Sequence, residues 1–255
     1  MKLDRVIAVR NRKTVFRDGD RCVKVFNEDY TKADVLNEAL NQARIEQTGL
    51  NIPEILEISQ FDGKWSIVSR YIEGKTLQQL CAEQPENRKK YMEMFVSLHC
   101  EIHTKCCPLL SRQNDRMNMD IVRSDLDATT RFDLHRRLDS MTRQNQICHG
   151  DFGLSNIILS KDGVPYILDW SRATQGNAAA DAARTYLIFW LEGNIQGAAQ
   201  YLEMYCAQSG TPRETVDKWM PIVAAAQSVL GNSKQREFLL SWVNEVNHDK
   251  GVIVL

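Results

Sequence analysis

An excess of basic residues is absent from this sequence. Its 255 residues hold 32 Lys and Arg against 33 Asp and Glu, a formal net charge of -1. The balance persists locally, with 12 basic against 12 acidic up to Gly74 and 20 against 21 beyond it. Binding to a phosphate backbone needs clustered cations, so nucleic acid is not an expected partner. Long apolar runs are missing too. Tyr186 to Leu191 and Ile222 to Ala226 fall far short of the roughly 20 residues that span a bilayer, so no membrane association is expected. The start, MKLDRVIAVRNRK, carries an apolar patch but neither a signal-peptide core nor a small-residue cleavage site, and a cytoplasmic location is expected. Repeats and low-complexity tracts are absent, and nothing indicates an obligate protein partner.

The cysteines lack the even spacing of a disulfide framework. Cys22, Cys81, Cys100, Cys106, Cys107, Cys148 and Cys206 make an odd, scattered set that reads as reduced thiols. One cluster, His99-x3-His103-x2-Cys106-Cys107, has histidines on one helical face that could share a metal. Phe95, Leu98 and Ile102 at helical spacing favour instead a core helix with partly buried histidines.

What is present is the composition of a compact soluble protein, 25% charged and 43% hydrophobic, of a length for one large domain or two lobes. Residues 1–74 read as β-rich. Val6 to Val9, Thr14 to Phe16 and Arg21 to Phe26 are short β-branched or alternating runs, the last two joined by the turn Asp18-Gly19-Asp20. Thr31 is the expected N-cap of a helix with Val35, Leu36, Ala39, Leu40 and Ala43 as its apolar stripe and Gly49 as its stop. Ile55 to Ser59 and Trp65 to Tyr71 complete a five-stranded antiparallel sheet with one helix. From Leu77 onward the pattern turns helical, apart from a hairpin around Lys161-Asp162-Gly163. The class is α+β in two lobes: residues 1–74, with a connection at 69–74, and a larger, mostly helical lobe over 75–255.

One segment departs from its surroundings: His149-Gly150-Asp151-Phe152-Gly153-Leu154-Ser155-Asn156, followed after the hairpin by Tyr166-Ile167-Leu168-Asp169-Trp170. Three oxygen-bearing side chains, Asp151, Asn156 and Asp169, thus gather around one strand-loop-hairpin unit. Hard oxygen ligands suit Mg2+, and a loop carboxylate such as Asp151 can accept a proton from an attacking hydroxyl.

This segment resembles the HGDxxxxN and I-x-D-W/F signature of the aminoglycoside phosphotransferases and choline-kinase-like small-molecule kinases, relatives of the protein kinases. The resemblance implies a bilobal protein-kinase-like fold that binds ATP with Mg2+. It implies Asp151 as catalytic base, Asn156 and Asp169 as metal ligands, and His149 and Asp181 as structural supports of the catalytic loop. It also directs attention to a strand lysine and its helix glutamate. Lys24, opposite in facing to Val23 and Val25, and Glu38 match; Glu46 is a rival partner nearer the helix end. The stretch Ile67 to Leu77 resembles the family's hinge, where adenine would bond to backbone groups of Arg70 and Ile72. Gly74-Lys75-Thr76 imitates the end of a Walker A loop, but Ser69 replaces the first glycine and bulky Arg70-Tyr71-Ile72 would block a phosphate cradle.

Three departures narrow the reading. The turn Arg10-Asn11-Arg12-Lys13 lacks glycine, so phosphate contacts there fall to backbone amides or to Arg12 and Lys13. Gly153 stands where Ser/Thr protein kinases carry a lysine, and Asp169 is followed by Trp170-Ser171 with no Ala-Pro-Glu segment beyond. The last two argue against a protein substrate. The expected function is an ATP- and Mg2+-dependent kinase for a hydroxyl of a small molecule, such as an aminoglycoside, amino alcohol or sugar. A catalytically inactive nucleotide-binding module is the alternative, and a protein kinase a further one. Asp115, Asp120, Asp125, Asp127, Glu245 and Asp249 are acidic candidates for a cationic acceptor, interrupted by Arg88-Lys89-Lys90, Arg131, Arg136 and Arg137.

Overall fold

The computed structural model describes residues 5–10, 12–230 and 232–244; Asn11 of the glycine-free turn, and Glu245 and Asp249, lie outside them. The chain forms two compact units, Met1–Tyr91 with Leu154–Ala173, and Met92–Gly153 with Thr174–Leu255. No helix among the described residues is long and apolar enough to cross a membrane.

The first unit opens with β1 (Arg5–Arg10), β2 (Lys13–Asp18) and β3 (Arg21–Phe26), then α1 (Lys32–Glu46), β4 (Ile55–Phe61) and β5 (Lys64–Arg70). The strands form one antiparallel sheet in the order β1-β2-β3-β5-β4, the expected five strands with one helix. Alternation along β3 divides its side chains between faces. Val23 and Val25 pack with Val68 and Phe16 on one face, while Phe26 on the other meets Val35 and Ala39 of α1 and Ile67 of β5. Thr31 caps α1 in a capping box, its hydroxyl accepting from the Asp34 N–H and the Asp34 carboxylate accepting from the Thr31 N–H.

The buried face of α1 differs from the expected stripe. Leu36 and Leu40 are 41% and 47% exposed, whereas Val35, Glu38, Ala39, Gln42 and Ile45 are buried. At 3.6 residues per turn these five form one continuous stripe, and Leu36 and Leu40 lie about a quarter turn off it. Glu38 therefore sits on the core face of the helix.

β6 (Gly74–Thr76) and α2 (Leu77–Glu83) continue the first unit. β6 was not foreseen as a strand. Gly74 is required there because a Cβ would strike the Leu159 carbonyl. Thr76 caps α2, forming a capping box with Gln79, and Lys75 meets Glu83 at 2.5 Å, so the Walker-like triplet is spent on a strand and a helix start.

α3 (Arg88–His103) carries the chain into the second unit, which adds α4 (Gln113–Arg123), α5 (Ala128–Ser140) and β7 (Gln146–Cys148). The chain then returns to the first unit for the hairpin β8 (Ile157–Ser160) and β9 (Pro165–Ile167), whose β8 pairs with β6. Back in the second unit come β10 (Thr174–Gly176), paired with β7, and α6 (Ala178–Leu191), α7 (Ile195–Ser209), α8 (Arg213–Ser228) and α9 (Ser233–Asn244). α6 is apolar on nearly every side and buries ten of its residues, from Ala179 to Phe189. An all-round apolar helix belongs at the centre of its unit. The seven cysteines are free thiols.

Candidate active site

The first unit contains a pocket of about 420 Å3 lined by strands β1, β2, β3 and β5, residues Arg70 to Ile72, and Asn156 and Asp169. Its volume lies in the range of small-molecule sites. Lys24, projecting from β3 on the α1 side of the sheet, places its Nζ 2.5 Å from Glu38 Oε1. The Glu38 side chain is only 3% exposed. The rival Glu46 is occupied elsewhere, accepting the Ile55 N–H at 2.8 Å.

Asp169 ends the hairpin in a left-handed conformation, φ 62 and ψ 67, that a non-glycine residue adopts only at a cost of about 1–3 kcal/mol. Neighbouring bonds hold it. The Leu168 N–H donates to the Asn156 carbonyl at 2.8 Å, and the indole of buried Trp170 donates to the Ile167 carbonyl at 3.3 Å. The Asp169 carboxylate receives Lys13 Nζ at 2.9 and 3.2 Å on its two oxygens and lies 3.7 Å from Lys24. Lys13 also approaches Glu38 Oε1 at 3.5 Å.

These contacts set the charge states. Burial works against the Lys24 ammonium, but the Asp169 and Glu38 carboxylates outweigh it and hold its pKa above the ordinary lysine value. Burial likewise disfavours an ionised Asp169, yet Lys24, Lys13 and the Ser171 hydroxyl bring it below the usual carboxylate range. Lys13, Lys24 and Asp169 line the pocket, with Glu38 behind Lys24. The pocket's oxygen donors are of the kind Mg2+ takes: Asn156 and Asp169 line the same cavity, and the Asn156 carbonyl is bonded to Leu168, the residue before Asp169.

The second unit holds the first part of the His149 to Asn156 segment, up to Gly153. Asp181, in the first turn of α6, accepts the His149 N–H at 2.7 Å on one oxygen and the Gly150 N–H at 2.8 Å on the other. Gly150 has φ 75, a conformation that favours glycine. The Asp151 N–H meets His149 Nδ1 at 3.2 Å.

Two histidines of α3 complete this cluster. His99 and His103 turn their Nε2 atoms to Asp181 Oδ2 at 3.1 and 3.2 Å, and their Nδ1 atoms to the hydroxyls of Tyr201 and Tyr205 at 2.8 and 2.9 Å. Burial, with His103 alongside, drives His99 down to about 3. Burial alone would raise Asp181, but bonds from His103 and His99 bring it well below the usual range. For His99, a neutral imidazole donating from Nε2 to Asp181 and accepting at Nδ1 from Tyr201 satisfies both contacts. The three groups stand close enough to share an ion, but hydrogen bonds account for the geometry, and neither Cys106 nor Cys107 belongs to the cluster.

Two of the acidic acceptor candidates, Asp125 and Asp127, have local roles. Asp125 pairs with Arg236 at 2.5 Å, and Asp127 caps α5 through the Thr130 N–H at 2.9 Å. The bonds of Lys13 to Asp169 and of the two tyrosines to the histidines join residues far apart in the chain, which no local pattern advertises.

A five-stranded antiparallel sheet, a lysine–glutamate pair and an aspartate at the end of a hairpin are together the parts of a protein-kinase-like fold. The model of the phosphotransferase enzyme family matches residues 7–219, and the chain belongs to that family. Solved structures share the fold. A thermostable mutant of aminoglycoside phosphotransferase APH(4)-Ia superposes with a TM-score of 0.69 at 18% identity, covering 96% of this chain and 95% of that one. Choline kinase LicA from Streptococcus pneumoniae gives 0.64 at 16%, covering 94% and 91%. Among curated proteins, acyl-CoA dehydrogenase family member 10 of Mus musculus is 30% identical in an alignment of 95 residues that covers 30% of this chain and only 9% of that protein's length.

Proposed function

We propose that the protein transfers the γ-phosphoryl group of ATP to a hydroxyl of a small molecule, with Asp151 as base and Asn156 and Asp169 as the Mg2+ ligands. The observation that carries this reading is the meeting of Lys24, held by Glu38, with Asp169 in one pocket of suitable volume. Relatives of the same fold support it, having been captured with AMP-PNP or ADP together with hygromycin B.

Lys24 holds the α- and β-phosphates, and buried Glu38 fixes the lysine so that little ordering remains when nucleotide arrives. Mg2+ held by Asn156 and Asp169 would supply positive charge against the negative charge of the phosphate oxygens. Adenine is read by backbone groups of the hinge. The Arg70 N–H already donates to the Glu54 carbonyl at 2.9 Å, which leaves Arg70 only its carbonyl to offer, with Ile72 contributing its amide. Asp151, five residues before Asn156 on the same loop, takes the proton of the attacking hydroxyl. Asp181 holds the amides of His149 and Gly150 and so fixes the loop that carries the base.

The acceptor class is the hydroxyl-bearing metabolites that include aminoglycosides, amino alcohols and sugars. Even charge in both parts of the chain gives no general attraction for a polycation. The test is a screen of hydroxylated small molecules read by ATP consumption. Asp151→Asn is expected to lower turnover by about 10²- to 10⁴-fold while ATP affinity stays within about twofold, and turnover at the wild-type rate would remove Asp151 from its role. Asp169→Ala is expected to lose Mg2+-dependent nucleotide binding; unchanged calorimetric affinity would end its assignment to the metal.

A further inference from the structure

Lys13 also lines the pocket, and phosphoryl transfer as proposed gives it no part. Protein-kinase-like sites commonly cover the phosphates with backbone from a glycine-rich loop, and the turn ahead of β2 has no glycine to allow that approach. The first residue of β2 instead sends an ammonium into the pocket, its side chain 15% exposed. That ammonium spans both oxygens of Asp169 at 2.9 and 3.2 Å and comes within 3.5 Å of Glu38 Oε1. Lys24 lies 2.5 Å from the same Glu38 oxygen, so the two Nζ atoms are at most 3.5 plus 2.5, or 6.0 Å, apart.

Charge explains the arrangement. With Lys24 alone, the carboxylates of Glu38 and Asp169 would leave one uncompensated negative charge in a mostly buried site, and a second ammonium brings the set to neutrality. A divalent cation at Asp169 needs the very oxygens that Lys13 covers, so cation and lysine exclude each other. A lysine displaced from Asp169 keeps a compact charge on a flexible four-carbon stem, close to where Lys24 would hold the phosphates.

On the reading that this pocket takes ATP with Mg2+, we propose that Lys13 is a second phosphate-binding lysine that occupies the metal position in the empty pocket and exchanges to the triphosphate when the nucleotide and its metal enter. Lys13 thus stands in for the missing glycine-rich loop. It also ties metal entry to phosphate entry, because either one alone must work against the Lys13–Asp169 pair.

The experiment compares the full-length wild type with Lys13→Met and Lys13→Arg by calorimetry with Mg2+-ATP and with adenosine, and by electron paramagnetic resonance with Mn2+ alone. Lys13→Met is expected to bind Mg2+-ATP at least tenfold more weakly and adenosine within twofold, the latter reporting an intact pocket. Without its competitor, nucleotide-free Lys13→Met is expected to bind Mn2+ at least threefold more tightly. Lys13→Arg, which keeps the charge, is expected to bind Mg2+-ATP within threefold of wild type. Wild-type affinity of Lys13→Met for either Mg2+-ATP or Mn2+ overturns the exchange. Failure of the wild type itself to bind Mg2+-ATP overturns the nucleotide reading on which it rests.

Discussion

Asp181 is a buried carboxylate whose two oxygens receive two backbone amides and two imidazoles. Replacing it with alanine strands those donors without water. Asp181→Ala is expected to lose roughly 2–5 kcal/mol of unfolding free energy, measured by urea denaturation; a loss under about 1 kcal/mol would mean that the loop is held by other contacts. His99 adds a dependence on pH. Its folded pKa lies near 3, while an unfolded histidine titrates near 6.5. Below pH 6.5 the unfolded chain therefore binds a proton that folded His99 refuses. This contribution is whole above that pH and falls by about 1.4 kcal/mol for each unit down toward 3. Asp181, whose folded pKa is depressed, keeps its share until still lower pH. Denaturation at pH 7, 6 and 5 checks the slope, which His99→Gln is expected to flatten. An unchanged slope in that variant would assign the acid sensitivity elsewhere.

Among elements, α1 shows which residues position a functional side chain. Its buried face runs through Val35, Glu38, Ala39, Gln42 and Ile45, so changes on that face are expected to move both stability and nucleotide affinity. Val35→Ala is expected to cost about 2 kcal/mol and to weaken ATP binding by displacing Glu38. Leu36→Lys, off that face, is expected to stay within about 0.5 kcal/mol of wild type. Equal effects in thermal melts would contradict the assignment of faces. The elements were legible where the sequence carries a local signal: alternating strands with turns at Gly19 and Gly163, Thr31 as a cap, and the His149 to Asn156 segment. Leu36 and Leu40 misled because composition shows that a helix is apolar without showing which apolar residues face the sheet. α4 escaped notice because QNDRMNMDIVR is mostly polar, and Met117 and Ile121 are its only buried apolar residues. The network of Asp181 with His99, His103, Tyr201 and Tyr205 was half visible. The carboxylate at a helix start could be read locally, but its partners come from helices about 80 and 20 residues away.

At the scale of the molecule, the first unit is assembled from two stretches of chain, Met1–Tyr91 and Leu154–Ala173. The pocket lining draws on both, with Lys24 from the first and Asn156 and Asp169 from the second. A fragment ending at residue 91 is therefore expected to bind no Mg2+-nucleotide, a result that calorimetry can check; wild-type affinity in that fragment would deny the hairpin its part in the site. For the intact chain, Mg2+-ATP at about one hundred times its dissociation constant is expected to add roughly 2.7 kcal/mol to stability. Slowed amide exchange is expected in β3 and in the β8–β9 hairpin together, although more than a hundred residues separate them in the chain.

The interleaving also has a bearing on the order of events during synthesis. β8, the partner of β6, is not translated until about 80 residues after β6. At the usual pace of about 5–20 residues per second this leaves on the order of 4 to 16 s. Throughout that interval the edge of β6 has no strand to pair with and Lys13 has no Asp169. The nascent chain thus spends seconds on the ribosome with two cationic side chains and one carboxylate in an unfinished pocket, a period in which chaperone protection of that edge would matter most.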